Sequence, residues 1–272
     1  MNSRRRRTLA YRIAMSGLAA ALGVLLVLPF LALGLDGGPL SILGGLRCAL
    51  TLPALRLSLE TSVLSVLVVV AGGTPLAWGL AHSRWRSAKW LETLLQLPVV
   101  IPPAVGGIAL LLAFGRRGLL GELVERIGFS PAFSITAVLM AQVFVSAPFY
   151  LQAAVLAFSR LDPSLLAVGR SLGASPPQLF FKVALPLARP ALVAGAAMTW
   201  ARALGEFGAT LMFAGNMAHR TQTLPLAIYT ALEMDVRTAQ ALSLLQVLFA
   251  FALLLGLRRF NHLAHAPAAR AP

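Results

Sequence analysis

Charge is scarce in this chain of 272 residues: 12% are charged, against 58% that are hydrophobic. That much apolar surface exceeds what a soluble domain of this length can bury, which points to a bilayer as solvent. Cysteine is almost missing. The single Cys48 excludes an internal disulfide framework or a Cys-rich metal site, and it reads as a small apolar residue. Acidic residues number nine against 23 Lys and Arg, for a net charge of +14. A nucleic-acid binder would gather those cations on one polar face, whereas here they fall between long apolar runs. No Gly-x4-Gly-Lys-Ser/Thr sequence occurs, so the chain lacks the loop that cradles the phosphates of ATP. His82, His219, His262 and His265 fall in loops or the tail. No His-x3-His or paired-acid set lies within an apolar run, which argues against an intramembrane enzyme.

The apolar runs are long enough to cross a hydrocarbon core of about 30 Å. They extend from Ile13 to Leu35, Leu57 to Leu80, Leu91 to Phe114, Phe133 to Phe158, Pro190 to Phe213 and Ala239 to Leu257. The expectation is therefore an all-α membrane protein of six transmembrane helices. Arg4, Arg5, Arg6 and Arg7 precede the first run as in a signal peptide. Its apolar part is too long for one, though, and no clear small-x-small cleavage site follows, so it reads as an uncleaved span. A cytoplasmic N-terminus places 15 Lys and Arg on that side and six on the other, with Arg56 and Arg202 at or within spans. The positive-inside rule thus puts both termini in the cytoplasm. The organisation that follows is a basic arm over 1–12, one membrane domain over 13–257 and a cytoplasmic tail over 258–272.

Pro29, Gly72-Gly73-Thr74-Pro75, Pro98, Pro102-Pro103, Gly106-Gly107 and Pro148 interrupt the apolar pattern. In lipid such breaks are tolerated where neighbouring helices or a water-filled cavity satisfy the freed carbonyls. Ala191, Gly195 and Thr199 form a small-xxx-small ridge that lets the fifth span approach a neighbour closely. Beyond the same span, Leu224, Ala227, Ile228, Ala231 and Leu232 recur at helical spacing, as in a short amphipathic helix on the outer side.

Between the fourth and fifth spans the chain is too polar and too broken to cross a membrane. Asp162 is an N-cap with Pro163 at the first helical position, and Gly173 supplies a C-terminal stop. Ser175 caps a second helix, with Pro176 at its first position and Gln178 completing a capping box. This second helix is expected to end before Pro186. Two short amphipathic helices at a cytoplasmic face suit docking into a partner, or lying on lipid.

The stretch from Asp162 to Pro186 resembles the coupling motif of ABC importer permeases, Glu-Ala-Ala, three residues, Gly, nine residues, Ile-x-Leu-Pro. Gly173 is followed by nine residues and Val183-Ala184-Leu185-Pro186; Ala167-Val168-Gly169 stands in place of Glu-Ala-Ala, without the carboxylate. The resemblance implies a docking element seated in a groove of an ATP-binding subunit, with Ala167, Gly169, Gly173, Ala174, Ser175, Val183, Leu185 and Pro186 at the contact.

In the fifth span, Arg202, Glu206 and Thr210 are spaced four apart and so fall on one helical face. Charges at mid-membrane cost about 2.5 to 3.5 kcal/mol each on insertion scales and face a bundle interior or water. An intrahelical Arg202 to Glu206 pair offsets part of that, so the face reads either as a structural ion pair or as the polar lining of a passage. The run Ala203-Leu204-Gly205-Glu206-Phe207-Gly208-Ala209-Thr210-Leu211-Met212, with Ala214-Gly215-Asn216 and Thr221-Gln222-Thr223-Leu224-Pro225 after it, is similar to molybdate and tungstate permeases. It is more loosely similar to sulfate permeases. Leu97-Pro98-Val99-Val100-Ile101-Pro102-Pro103-Ala104-Val105-Gly106-Gly107 looks like the third-helix segment of the same families.

The resemblance covers about 57–257 and implies a type I ABC importer permease fold, with a passage lined by Thr199, Arg202, Glu206, Thr210, Pro102 and Pro103. It further implies two ATP-binding subunits that hold the ATP and Mg, with no cofactor or metal in this chain. A periplasmic or lipid-anchored binding protein would deliver a tetrahedral dianion, and a second permease copy would form a homodimer, where sulfate permeases usually pair two different chains. The bacterial inner membrane is the implied location. A secondary carrier would instead require internal repeats and mid-membrane acids in several helices, and only Glu206 is so placed.

Overall fold

A computed structural model describes residues 3–47, 50–83 and 85–264. Cys48, Arg84, His265 and Arg270 lie outside the described residues, as do the side chains of Arg4 to Arg7 and of Arg258, Arg259 and His262. Every regular element among the described residues is helical. In order they are α1 (Ser3–Arg47), α2 (Thr51–His82), α3 (Arg86–Leu95), α4 (Leu97–Val100), α5 (Pro103–Phe114), α6 (Gly121–Arg126) and α7 (Ile135–Ser159). There follow α8 (Pro163–Ser171), α9 (Pro176–Leu179), a π turn (Phe180–Ala184), α10 (Leu185–Leu204), α11 (Gly208–Ala214), α12 (Leu224–Met234) and α13 (Val236–Ala264).

Five helical stretches are long and apolar enough to cross a membrane, at Tyr11–Leu35, Thr51–His82, Ile135–Ser159, Pro176–Leu204 and Val236–Gly256. A bent pair, Ser87–Val100 and Pro103–Phe114, turned through 118° at Ile101-Pro102, makes a sixth when it is counted as one broken span and is a re-entrant loop otherwise. This is the all-α arrangement expected from the sequence, with three corrections. Helices α1, α2 and α7 run unbroken through Pro29, Pro75 and Pro148. The second coupling helix does not end before Pro186. It passes through the π turn into α10, so the fifth span begins at Pro176 instead of Pro190. The cause is local: the Leu185 N–H bonds to the Phe180 carbonyl five residues back, and this wider ring ahead of Pro186 absorbs the residue that cannot donate. Finally, the helix stops at Leu204 and restarts at Gly208, so the run to Phe213 is not one span.

The chain divides into two compact units, one of residues 1–48 with 228–249 and one of 49–227 with 250–272. In the first, the apolar side chains of α1 from Ile13 to Leu31 point outward, as a lipid-facing helix requires. Asp235 caps α13, accepting from the N–H groups of Arg237 at 3.2 Å and Thr238 at 3.0 Å.

In the second unit α7 is the central post, packed by α2, α10, α5 and α11. Its contacts use small side chains and hydrogen bonds, because lipid tails give apolar helices no reason to prefer each other. A β-carbon on Gly73 would lie 3.0 Å from the Tyr150 ring, and one on Gly195 would lie 2.8 Å from the Ala153 β-carbon. The small-xxx-small ridge of α10 thus does seat on α7. Ser65 donates to Gln142 Oε1 at 2.9 Å, Trp200 Nε1 donates to Ser62 Oγ at 3.0 Å, and Thr74 and Tyr150 share a hydroxyl contact of 2.6 Å. Each such interhelical bond contributes about 0.6 kcal/mol on average. Ser58 Oγ further accepts from the Leu224 N–H at 2.7 Å, fixing the loop that follows Thr221.

Candidate functional site

Two places carry the sequence-derived site residues. The first is the segment from Asp162 to Pro186. Asp162 accepts from the Ser164 N–H at 2.8 Å, and that backbone bond holds its carboxyl below the usual carboxylate range. At the other end of α8, the Gly173 N–H reaches the Arg170 carbonyl at 2.9 Å and the Ala174 N–H reaches the Gly169 carbonyl at 3.0 Å, which is a Schellman closure. It requires the left-handed φ of +82° that Gly173 adopts. The Ser175 N–H then donates to Gln178 Oε1 at 2.9 Å and opens α9.

Leu166 and Leu179 are buried between the two helices, and Gly169 allows the contact, since a β-carbon there would collide with the end of the Leu179 side chain. Leu165, Val168 and Leu172 remain outside, 48%, 57% and 82% exposed. Ala167, Ser175 and Pro186 are also exposed, whereas Ala174, Val183 and Leu185 are half-buried. An apolar face is therefore presented outward by an element closed at both ends.

Sequence reasoning missed how the segment joins the other helices. Phe180, in the π turn, stands edge-on to Trp78 of α2 with ring centres 5.3 Å apart and lies 6.1 Å from Phe158 of α7. Trp78 in turn meets Phe158 at 5.3 Å. Three helical elements thus share one aromatic joint at the end of the segment, where it runs into α10. Such contacts couple elements distant in sequence, and no local spacing announces them.

The second place is the interruption between α10 and α11. Arg202 Nη2 lies 2.8 Å from Glu206 Oε2, with the Glu206 side chain fully buried and that of Arg202 27% exposed. Glu206 Oε1 accepts from the Ala209 N–H at 2.8 Å. The expected single helical face is not present. Gly205, Glu206 and Phe207 leave the helix, and Thr210 belongs to the restarted α11, buried with its hydroxyl unpartnered. Thr199 is fully buried as well, its hydroxyl 3.4 Å from the Ser146 carbonyl of α7. Of the polar residues proposed for a passage, only Arg202 keeps an open side.

The break after α10 lies against the break before α5. A β-carbon on Gly208 would be 3.1 Å from the Ala104 nitrogen and 3.2 Å from the Pro103 β-carbon; one on Gly107 would be 2.6 Å from the Ala209 carbonyl oxygen. Pro102 is exposed and Pro103 half-buried at this crossing. Gly107 and Pro103, far from Glu206 in sequence, thus pack against the Gly208-Ala209 backbone that follows it.

Residues 73–264 match the family of binding-protein-dependent transport system inner membrane components. The chain belongs to that family. Among inner membrane components that it resembles, the molybdenum transport system permease protein ModB of Mycobacterium tuberculosis is 46% identical over 203 residues, 75% of this chain and 77% of that protein. The probable transport system permease protein NifC of Clostridium pasteurianum is 36% identical over 242 residues, 89% of this chain and 85% of its own. ModB of Escherichia coli K12 is 39% identical over 181 residues, 66% and 79% of the two chains. A bacterial ABC transporter for import of the acidic polysaccharide alginate gives a TM-score of 0.75 at 15% identity, covering 95% of this chain and 96% of its own. The MetNI methionine ABC transporter, inward facing, gives 0.62 at 19% identity over 78% and 95%. At those identities the likeness establishes the fold, that of a type I ABC importer permease. This inner membrane component is accordingly a multi-pass transport subunit that works with ABC partner components.

Proposed function

We propose that this subunit carries molybdate, or the closely similar tungstate, inward across the bacterial inner membrane. The observation that carries the reading is the 46% identity to a molybdenum permease over three quarters of the chain. A net charge of +14 and an arginine at the helix break agree with an anionic cargo. Both termini are cytoplasmic in this reading, which the Lys and Arg distribution supports. The exposed face of α8 docks into an ATP-binding subunit, one per permease copy, and the permease itself forms a homodimer. ATP and Mg stay in the motor subunits, and this chain catalyses nothing. A periplasmic or lipid-anchored binding protein supplies the anion.

Transport proceeds by alternating access. Motor closure moves α8 and α9, and the aromatic joint at Phe180 passes that movement to α2 and α7 together. The anion passes the crossing of α5 with the α10–α11 break, where Pro102, Pro103, Arg202 and Thr210 stand, where Glu206 holds the Ala209 N–H and where Thr199 ties α10 to α7.

The test is uptake by proteoliposomes that hold the copurified complex and its binding protein, with molybdate, tungstate and sulfate in competition. Molybdate uptake that tungstate suppresses and sulfate leaves intact is the expected result. Suppression mainly by sulfate would move the assignment to sulfate or thiosulfate import, and absence of all three uptakes would refute oxyanion transport.

A further inference from the structure

The ion pair at the end of α10 is built unevenly. Glu206 is enclosed, while Arg202 keeps 27% of its side chain open. Both carboxylate oxygens are committed to the protein, Oε1 to the Ala209 N–H and Oε2 to Arg202. The second contact is close but off the hydrogen-bonding direction, so Oε2 lacks an aligned donor. A guanidinium offers five N–H donors in a planar fork that suits oxyanions, and here a single nitrogen of the fork meets the carboxylate.

A pair whose only purpose was to hold the break together would be expected to use that fork fully. Apolar residues of similar volume would do as well, since desolvating two charges offsets most of their attraction. An imperfectly aligned, partly open arginine on a rigidly held carboxylate has the properties of an exchangeable contact. Glu206 is anchored through Ala209 to the first turn of α11. The mobile member is therefore Arg202, at the end of a flexible stem.

Resting on the oxyanion-import reading above, we propose that Arg202 is the contact for the transported oxyanion and Glu206 its resident stand-in. Between transport events Glu206 neutralises the guanidinium; when a small tetrahedral dianion arrives, Arg202 turns its fork to it. Because one anionic partner replaces another, arginine is never left unpaired in a low dielectric, and the dianion gains over the monocarboxylate only the difference between them. That keeps binding weak enough for release. A neutral or cationic solute has nothing with which to displace Glu206.

The experiment uses the purified complex of permease and ATP-binding subunits without its binding protein, and labelled molybdate as the probe. Glu206→Gln keeps an oxygen for the Ala209 N–H and removes the competing charge. It should retain molybdate about tenfold more tightly than the unaltered complex, and slow uptake when the binding protein is restored. Arg202→Gln should abolish retention, and Arg202→Lys, with charge but no fork, should weaken it about tenfold. Equal retention by the Glu206→Gln and unaltered complexes, or full retention by Arg202→Gln, overturns the exchange. Failure of Glu206→Gln to assemble also overturns it, since the carboxylate would then be a strut. If the unaltered complex with its binding protein transports no oxyanion, the import reading fails; if it transports molybdate while Arg202→Gln binds normally, only this site fails.

Discussion

The segment from α8 to α9 and the crossing of α5 with α11 are both breaks in a helical chain, yet they are held by opposite means. The first is closed by bonds between residues no more than five apart: Asp162 with Ser164, Ala174 with Gly169, Ser175 with Gln178. The second is held by backbone approaching backbone over about a hundred residues of sequence, Gly107 against Ala209 and Gly208 against Ala104. A locally closed element keeps its shape while it moves as a body. An element defined by contact with a distant helix loses its shape if the two separate. The coupling segment is suited to travel with a motor subunit, and the crossing is suited to stay in place while a solute passes.

The largest effect should come from Gly107. A β-carbon there would sit 2.6 Å from a carbonyl oxygen that belongs to the backbone of α11 and has no rotamer by which to yield. Gly107→Val should cost at least the 1 to 3 kcal/mol typical of overpacking and remove most folded protein from the membrane, read as monodisperse yield after extraction in mild detergent. Yield and melting temperature equal to the unaltered protein would show that the crossing is loose, and the comparison would collapse.

Phe180 comes next, because it joins the two regimes. Phe180→Leu keeps an apolar side chain in the π turn but removes the edge contact to Trp78 and the tilted contact to Phe158. Aromatic pairs contribute about 0.5 to 1.5 kcal/mol each beyond buried area, so the variant should still fold and bind its motor. What should fall is molybdate taken up per ATP hydrolysed, several-fold, while basal ATPase activity holds. An unchanged ratio would assign the joint to packing alone.

These expectations also mark what was legible beforehand. The caps at Asp162, Gly173 and Ser175 could be read from spacing because the bonds that make them are local, and the apolar runs because hydropathy is additive along the chain. Pro186 misled because a proline breaks a helix only if nothing relieves its missing donor, and relief came from a π turn that has no simple sequence signature. Glu206 misled for a related reason. Its spacing from Arg202 and Thr210 is helical, but Gly205 and Gly208 let the backbone leave the helix, and α5 rewards that departure by packing on Gly208 and Ala209. Gln142 and Trp200 found their serine partners on α2 only once the helices were assembled.

Within the coupling segment, Gly173 should show a moderate and confined effect. Its surroundings are open, so substitution there is opposed by the left-handed backbone alone. Gly173→Ala should cost about 1 to 2 kcal/mol of local stability, and Gly173→Asn less, because asparagine tolerates that conformation. Faster amide exchange limited to α8 and α9, with substrate-stimulated ATPase activity reduced in the order Ala below Asn below Gly, is the expected pattern. Exchange that quickens throughout α7 and α10 would show that the segment is not locally closed.

The smallest effect concerns Asp162, and it separates local closure from bulk charge. Its carboxyl is held below the usual range by the Ser164 N–H, so the cap contributes fully above the unfolded value near 4 and is lost as pH falls through the lower folded one. Amide exchange at Ser164, Leu165 and Leu166 should therefore be protected at neutral pH and rise only in strongly acidic solution, once the intrinsic pH dependence of exchange is subtracted. Asp162→Asn keeps a side-chain oxygen to accept the bond but has no proton to gain, and should show the same protection without the acid step. Asp162→Ala should lack protection at every pH. An acid step that survives in Asp162→Asn would trace the effect to some other carboxylate and remove Asp162 from the closure of α8.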